Sequence, residues 1–153
     1  MLERFETVEQ VLDYAIDREL NSHLFYKKLA ALCTAPDLRE LLENFALQEL
    51  GHQKKLAQVK QGRFRRLNGD TPAFGLGIAE QIPDEIEPYP DMSMEEALLF
   101  AMNKEKMAYR MYLELALDAR TEDLSDLFMI LAHEEANHKV RIEIEYDDRF
   151  GRK

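Results

Sequence analysis

The chain has 153 residues and 17.9 kDa, the size of one domain, and its 46% hydrophobic content excludes a disordered or collagen-like chain. Thirty acidic against twenty basic residues give a net charge of −10, which repels phosphate backbones and argues against nucleic acid as a partner. The single Cys33 excludes a disulfide framework, a zinc ribbon and a four-cysteine iron site, and with no membrane-length apolar run or leader pattern a cytoplasmic protein is expected.

The first helical segment spans about residues 7–33, with Thr7 as N-cap and Gln10 completing a capping box. One face carries Val8, Leu12, Ala15, Glu19, Ser22, Tyr26, Leu29 and Cys33, at alternating steps of four and three. The second segment covers about 36–61 and opens on Pro36, a residue suited to the first helical turn. Its face reads Leu38, Leu41, Phe45, Glu49, His52, Leu56 and Val59, and it stops near Gly62. Residues 62–92 hold four of the five prolines and four of the six glycines, and read as a long crossover. Its basic cluster Arg63, Arg65 and Arg66, and its acidic run from Asp84 to Glu87, read as loop-solvating charge.

The third segment, about 93–119, follows the capping-box pair Ser93 and Glu96. Its face shows Met94, Leu98, Ala101, Glu105, Ala108, Tyr112, Leu115 and Ala119. The fourth, about 121–146, starts after Thr121 and shows Leu124, Leu127, Leu131, Glu135, His138, Ile142 and Tyr146, leaving 147–153 as a tail. Tight connections at Thr34–Pro36 and around Arg120 make two antiparallel helix hairpins. A single crossover between hairpins is the ferritin-like form of the four-helix bundle, so the expected fold is all-α, one domain over 1–153.

The two halves repeat. A shift of 86 residues lays Leu12, Ala15, Glu19, Tyr26 and Leu29 on Leu98, Ala101, Glu105, Tyr112 and Leu115. The same shift lays Asp37, Leu38, Leu41, Ala46, Glu49 and His52 on Asp123, Leu124, Leu127, Ala132, Glu135 and His138. Apolar heptads alone generate the Leu and Ala matches. The Glu and His matches are different, because a carboxylate placed in an apolar seam costs several kcal/mol unless it binds something. In Glu49-Leu-Gly-His52 and Glu135-Ala-Asn-His138 the i, i+3 spacing puts carboxylate and imidazole on one helix face. With Glu19 and Glu105 on the other two seams, four carboxylates and two imidazoles are expected in one layer. Two divalent cations neutralise four carboxylates, and the oxygen and nitrogen donors suit iron or manganese.

These motifs resemble those of the rubrerythrins, members of the ferritin-like superfamily. The likeness lies in Ala15-Ile-Asp-Arg-Glu19 and Phe25-Tyr26-Lys-Lys-Leu-Ala30, and in Glu49-x-x-His52 followed by Lys54-Lys55-Leu56. Glu105 with Tyr109 and Tyr112, then Glu135-x-x-His138, continue it, over about residues 7–146. The resemblance implies two iron ions, with manganese, or zinc as purified, as the alternatives. It implies that Glu49 and Glu135 bridge them, while Glu19 with His52 and Glu105 with His138 each cap one. It implies that Tyr26 and Tyr112 hydrogen-bond to ligand carboxylates, although core packing explains two seam tyrosines equally well. It also implies a homodimer and an external electron donor such as a rubredoxin.

Two departures stand out. Rubrerythrins proper carry a four-cysteine rubredoxin domain, and this sequence has only Cys33. They also carry an extra glutamate three residues after the third-helix ligand, which exchanges with a histidine as iron changes oxidation state. Here that position is Ala108, with Ser22 as its repeat mate.

The remaining histidines, His23 and His133, lie off the seams and read as surface residues; Cys33 reads as buried and inert, and the seven methionines as core filler. The expected function is a redox-active di-iron protein that oxidises Fe(II) or reduces hydrogen peroxide or O2. The rival is a non-catalytic metal-binding module, a sensor or sequestration subunit. A metal-free bundle would leave four carboxylates crowded together, at an electrostatic cost.

Overall fold

The computed structural model describes residues 7–61, 92–119 and 121–151, and among these there are helices and connections but no strand. Four helices follow in order: α1, Val8–Leu32; α2, Pro36–Gln61; α3, Met94–Asp118; and α4, Glu122–Phe150. The crossover residues 62–91, with Arg63, Arg65, Arg66 and the acidic run, and Arg120 of the second tight connection, lie outside the described residues.

Local chemistry sets the ends. The Thr7 hydroxyl accepts from the Gln10 N–H at 3.2 Å, and the Gln10 side chain accepts from the Thr7 N–H at 3.3 Å. Ser93 and Glu96 repeat this reciprocal cap at 3.1 and 3.2 Å. Thr121 caps α4 through its hydroxyl, which accepts from the Leu124 N–H at 3.3 Å. Each arrangement satisfies donors that the first helical turn leaves open. Pro36 opens α2, where its missing N–H costs nothing.

The sequence places the end of the fourth helix at 146, yet α4 continues to Phe150. Its last turn has no apolar seam to betray it. Instead Arg149 Nε donates to Glu145 at 3.2 Å, and the Tyr146 and Phe150 rings stand 5.7 Å apart. These are i, i+4 contacts that support an exposed helix end.

The chain divides into two compact units, one built on α1 and α2 and the other on α3 and α4. In the first, Lys60 pairs with Asp13 at 2.5 Å and His23 meets Ala46, so late residues of α2 face early residues of α1. That is an antiparallel hairpin. Leu12, Leu38, Leu42 and Leu56 are buried, and the fully buried Tyr26 packs edge-on against Phe45 at 5.5 Å. In the second, the Ser125 hydroxyl donates to the Ala116 carbonyl at 2.7 Å and the Tyr146 hydroxyl to Glu95 at 3.0 Å, again antiparallel. Leu98, Leu115, Leu124, Leu131 and Ile142 are buried there, and Tyr112 stacks on Phe128 at 5.9 Å. Burying each such leucine contributes roughly 1.5–3 kcal/mol. The seam ends Val59, Met94, Ala119 and Tyr146 are only half-buried.

Candidate metal centre

Each hairpin encloses one set of two carboxylates and an imidazole. In the first, α1 supplies Glu19, while Glu49 and His52 sit one turn apart on α2; they are 2%, 0% and 5% exposed. His52 Nδ1 lies 3.4 Å from Glu19 Oε2 and 3.6 Å from Glu49 Oε1. In the second, α3 supplies Glu105 and α4 supplies Glu135 and His138, all equally buried. His138 Nδ1 lies 3.6 Å from Glu105 Oε2 and 3.8 Å from Glu135 Oε1. The two sets match in residue type, register and distance.

Those distances test whether a metal fits. A hydrogen bond from a ring nitrogen to a carboxylate runs at about 2.7–3.2 Å, so each Nδ1 stands beyond bonding range of both oxygens just named. Donor atoms placed about 2.1 Å from one ion are instead about 3.0–4.2 Å from each other, depending on the angle between them. All four separations, 3.4 to 3.8 Å, fall in that range. Within each set, one donor atom per residue comes within 4.8 Å of the others. The donors are oxygen and imidazole nitrogen, with no thiolate, which suits iron, manganese or zinc. The residues fit a divalent ion.

The backbone holds these donors in place. His23 reads as a surface residue in the sequence, yet it is half-buried and its Nδ1 lies 2.7 Å from the Ala46 carbonyl oxygen. A carbonyl only accepts, so Nδ1 carries the proton and donates. This bond ties α1 to α2 one turn from Glu19 and one turn from Glu49. His133 is exposed and Cys33 is buried, as the sequence suggests. Tyr26 and Tyr112, two turns beyond the seam glutamates, have no exposed surface.

Among the described residues, two buried basic side chains escape a reading of the seams. Arg18 is 6% exposed and Lys104 is 9% exposed. They are repeat mates, each immediately before a seam glutamate, and that shared register is the signal that could have marked them. Ser22 and Ala108, one turn after Glu19 and Glu105, are buried as well.

A rubrerythrin family model matches residues 10–89 and 96–153. The fold is similar to that of a hypothetical protein from Pyrococcus furiosus, with 25% identity and a TM-score of 0.73 over 92% of this chain and 89% of that chain. No curated protein matches significantly. No helix among the described residues is long and apolar enough to cross a membrane.

Proposed function

The chain belongs to the rubrerythrin family and shares its all-α, ferritin-like fold class, and from that premise we propose that it is a redox-active di-iron protein. The observation that carries the reading is the buried Glu–Glu–His set found once in each hairpin. Glu19 with His52 would hold one ion and Glu105 with His138 the other, with Glu49 and Glu135 completing the donor set. Iron is the ion proposed, with manganese, or zinc as purified, as the alternatives. A pair of ferrous ions supplies two electrons, which is what reduction of hydrogen peroxide to water requires.

The protein's own part is to bind, orient and shield. Four carboxylates offset the charge of two divalent ions, so neither half of the site is left with a large uncompensated charge. The imidazoles donate neutral nitrogens and leave the charge balance unchanged. Burial of all six side chains excludes bulk water and strengthens each electrostatic contact. The His23–Ala46 bond keeps the α1 and α2 donors in register. Tyr26 and Tyr112 orient ligand carboxylates through their hydroxyls. Alanine at position 108 has no donor atom on its side chain, so it could not exchange with a histidine as a ligand. An external donor such as a rubredoxin is proposed as the source of electrons, and a homodimer as the working form.

Ala108 also favours the second reading, a metal-binding module without turnover. Peroxide consumption by the iron-loaded protein, with a rubredoxin and its reductase added, separates the two. Repeated turnover supports the redox reading. Protein that binds two irons per chain yet consumes peroxide no faster than buffer supports the non-catalytic one.

A further inference from the structure

Besides its buried seam, α4 carries a second line at helical spacing. Asp126, Ile130, His133, Asn137, Val140 and Ile144 follow one another at steps of four, three, four, three and four. His133, Asn137, Val140 and Ile144 each come two residues after a seam position, about 200° around the helix, so the line faces away from Glu135 and His138. All six residues are exposed, and Ile130, Val140 and Ile144 leave 49%, 52% and 49% of their surface uncovered. Met129, beside Ile130, is exposed as well. The fold does not require this. In α2, the repeat mate of α4, the same register carries Glu43 for Met129, Asn44 for Ile130, Lys54 for Val140 and Gln58 for Ile144, all exposed. There Leu47, the mate of His133, is the one large apolar side chain on the line. Scattered apolar side chains are ordinary on a surface, but an aligned set over about 21 Å of helix is a face for a partner.

Charge identifies the kind of partner. Glu122, Asp123 and Asp126 precede Ile130, and Asp147 and Asp148 follow Ile144; all five are exposed. Of the basic residues of α4, Lys139 pairs with Glu143 and Arg149 with Glu145 on the same helix, which leaves Arg141 as the exposed cation. A second copy of α4 laid along this line, parallel or antiparallel, would set acidic end against acidic end. A helix with basic ends meets opposite charge at both. We propose that the outer line of α4 docks an amphipathic helix of a partner protein, one with its own apolar line and with Lys or Arg toward both ends. Ile130, Val140 and Ile144 pack against the apolar line of the partner, and the two acidic ends of α4 set its register. The face is separate from the candidate metal centre and does not depend on it.

Two synthetic helical peptides of about eighteen residues, about five turns, test this on the full chain. Both carry leucines at alternating steps of three and four, one with lysines and the other with glutamates at its ends. In calorimetric titration the lysine peptide should bind one per chain, more weakly as salt rises, and the glutamate peptide should not bind. Ile130→Asn/Ile144→Gln installs the residues of α2, and it should bind the lysine peptide about tenfold more weakly with its melting temperature unchanged. Val140→Gln should weaken binding in the same direction, which keeps the test decisive if the double variant melts lower. Asp126→Asn/Asp147→Asn/Asp148→Asn should weaken binding by a similar factor and flatten its salt dependence. Equal binding of the lysine peptide by the wild type, Ile130→Asn/Ile144→Gln and Val140→Gln, the mark of nonspecific attraction to an acidic chain, overturns the proposal. Equal binding of both peptides, or of neither, overturns it too. Sedimentation tests the other occupant. A wild-type dimer that becomes a monomer in Ile130→Asn/Ile144→Gln would put a second copy on this face and contradict the proposal, whereas unchanged sedimentation supports it.

Discussion

Glu49 and His52, and again Glu135 and His138, are one turn apart on a helix, so the second and fourth helices each deliver a carboxylate and an imidazole from one stretch of backbone. Glu19 and Glu105 arrive singly from the first and third helices. This difference in delivery predicts unequal losses. The family resemblance implies that Glu49 and Glu135 bridge the two ions; if they do, Glu49→Ala or Glu135→Ala should abolish binding of both. Glu19→Ala should leave one ion on the Glu105–His138 side. Metal content of the purified variants by elemental analysis checks this, and two ions retained in Glu49→Ala would contradict the sharing. The candidate ligands are legible in the sequence because a glutamate or histidine in an apolar seam stands out against its neighbours. Arg18, Lys104 and His23 are not legible in that way. Each lies beside a seam residue, where a basic side chain ordinarily means solvent. Their burial depends on tertiary packing, which no helical period records.

At the level of the helix, the starts are more legible than the ends. Thr7 with Gln10 and Ser93 with Glu96 are reciprocal caps written as a four-residue pattern, and the structure makes both bonds of each. The end of α4 is not legible, because its last turn rests on Glu145–Arg149 and Tyr146–Phe150 contacts and not on a seam. Gly51 offers a direct test of helix propensity next to the candidate site. It is an exposed residue in the interior of α2, and an added Cβ would meet nothing within 4 Å. Gly51→Ala should therefore stabilise the protein by about 0.5–1 kcal/mol in urea denaturation, with metal content unchanged. A loss of stability would show that this position needs glycine for another reason.

The Tyr146–Glu95 bond gives the α3–α4 hairpin a pH signature. The hydrogen bond to Glu95, then desolvation and the nearby Glu95 and Asp147 charges, hold the phenol above its ordinary value. A group raised on folding contributes stability that is fully present below its unfolded value, about 10 for tyrosine, and lost as pH rises through the folded value. Stability should therefore fall on the alkaline side of about pH 10 in the wild type. In Tyr146→Phe that part of the fall should be missing. Denaturation midpoints between neutral and strongly alkaline pH measure it, and identical pH profiles would remove the bond from the account.

For the whole molecule, burial of the six candidate ligands makes stability a function of metal. An ion that binds only the folded chain stabilises it by about 2.7 kcal/mol at one hundred times Kd. Adding Fe(II) anaerobically, or Mn(II), to metal-stripped protein should raise its melting temperature, and the double variant Glu49→Ala/Glu135→Ala should not respond. Equal melting with and without metal in the wild type would contradict the linkage. The all-α character and the two hairpins are legible from four amphipathic segments and two short connections. The division into two compact units is not, because the periodicity of each seam says which face is buried and nothing about what lies against it.

The central claim is that this chain holds two iron ions through Glu19, Glu49, His52, Glu105, Glu135 and His138. Elemental analysis of protein purified from its native source, expressed as metal per chain, tests it most directly. The account predicts two irons per chain, lost together when Glu49 and Glu135 are both replaced by alanine. Protein without a transition metal, or a metal count that the double replacement leaves unchanged, would contradict it.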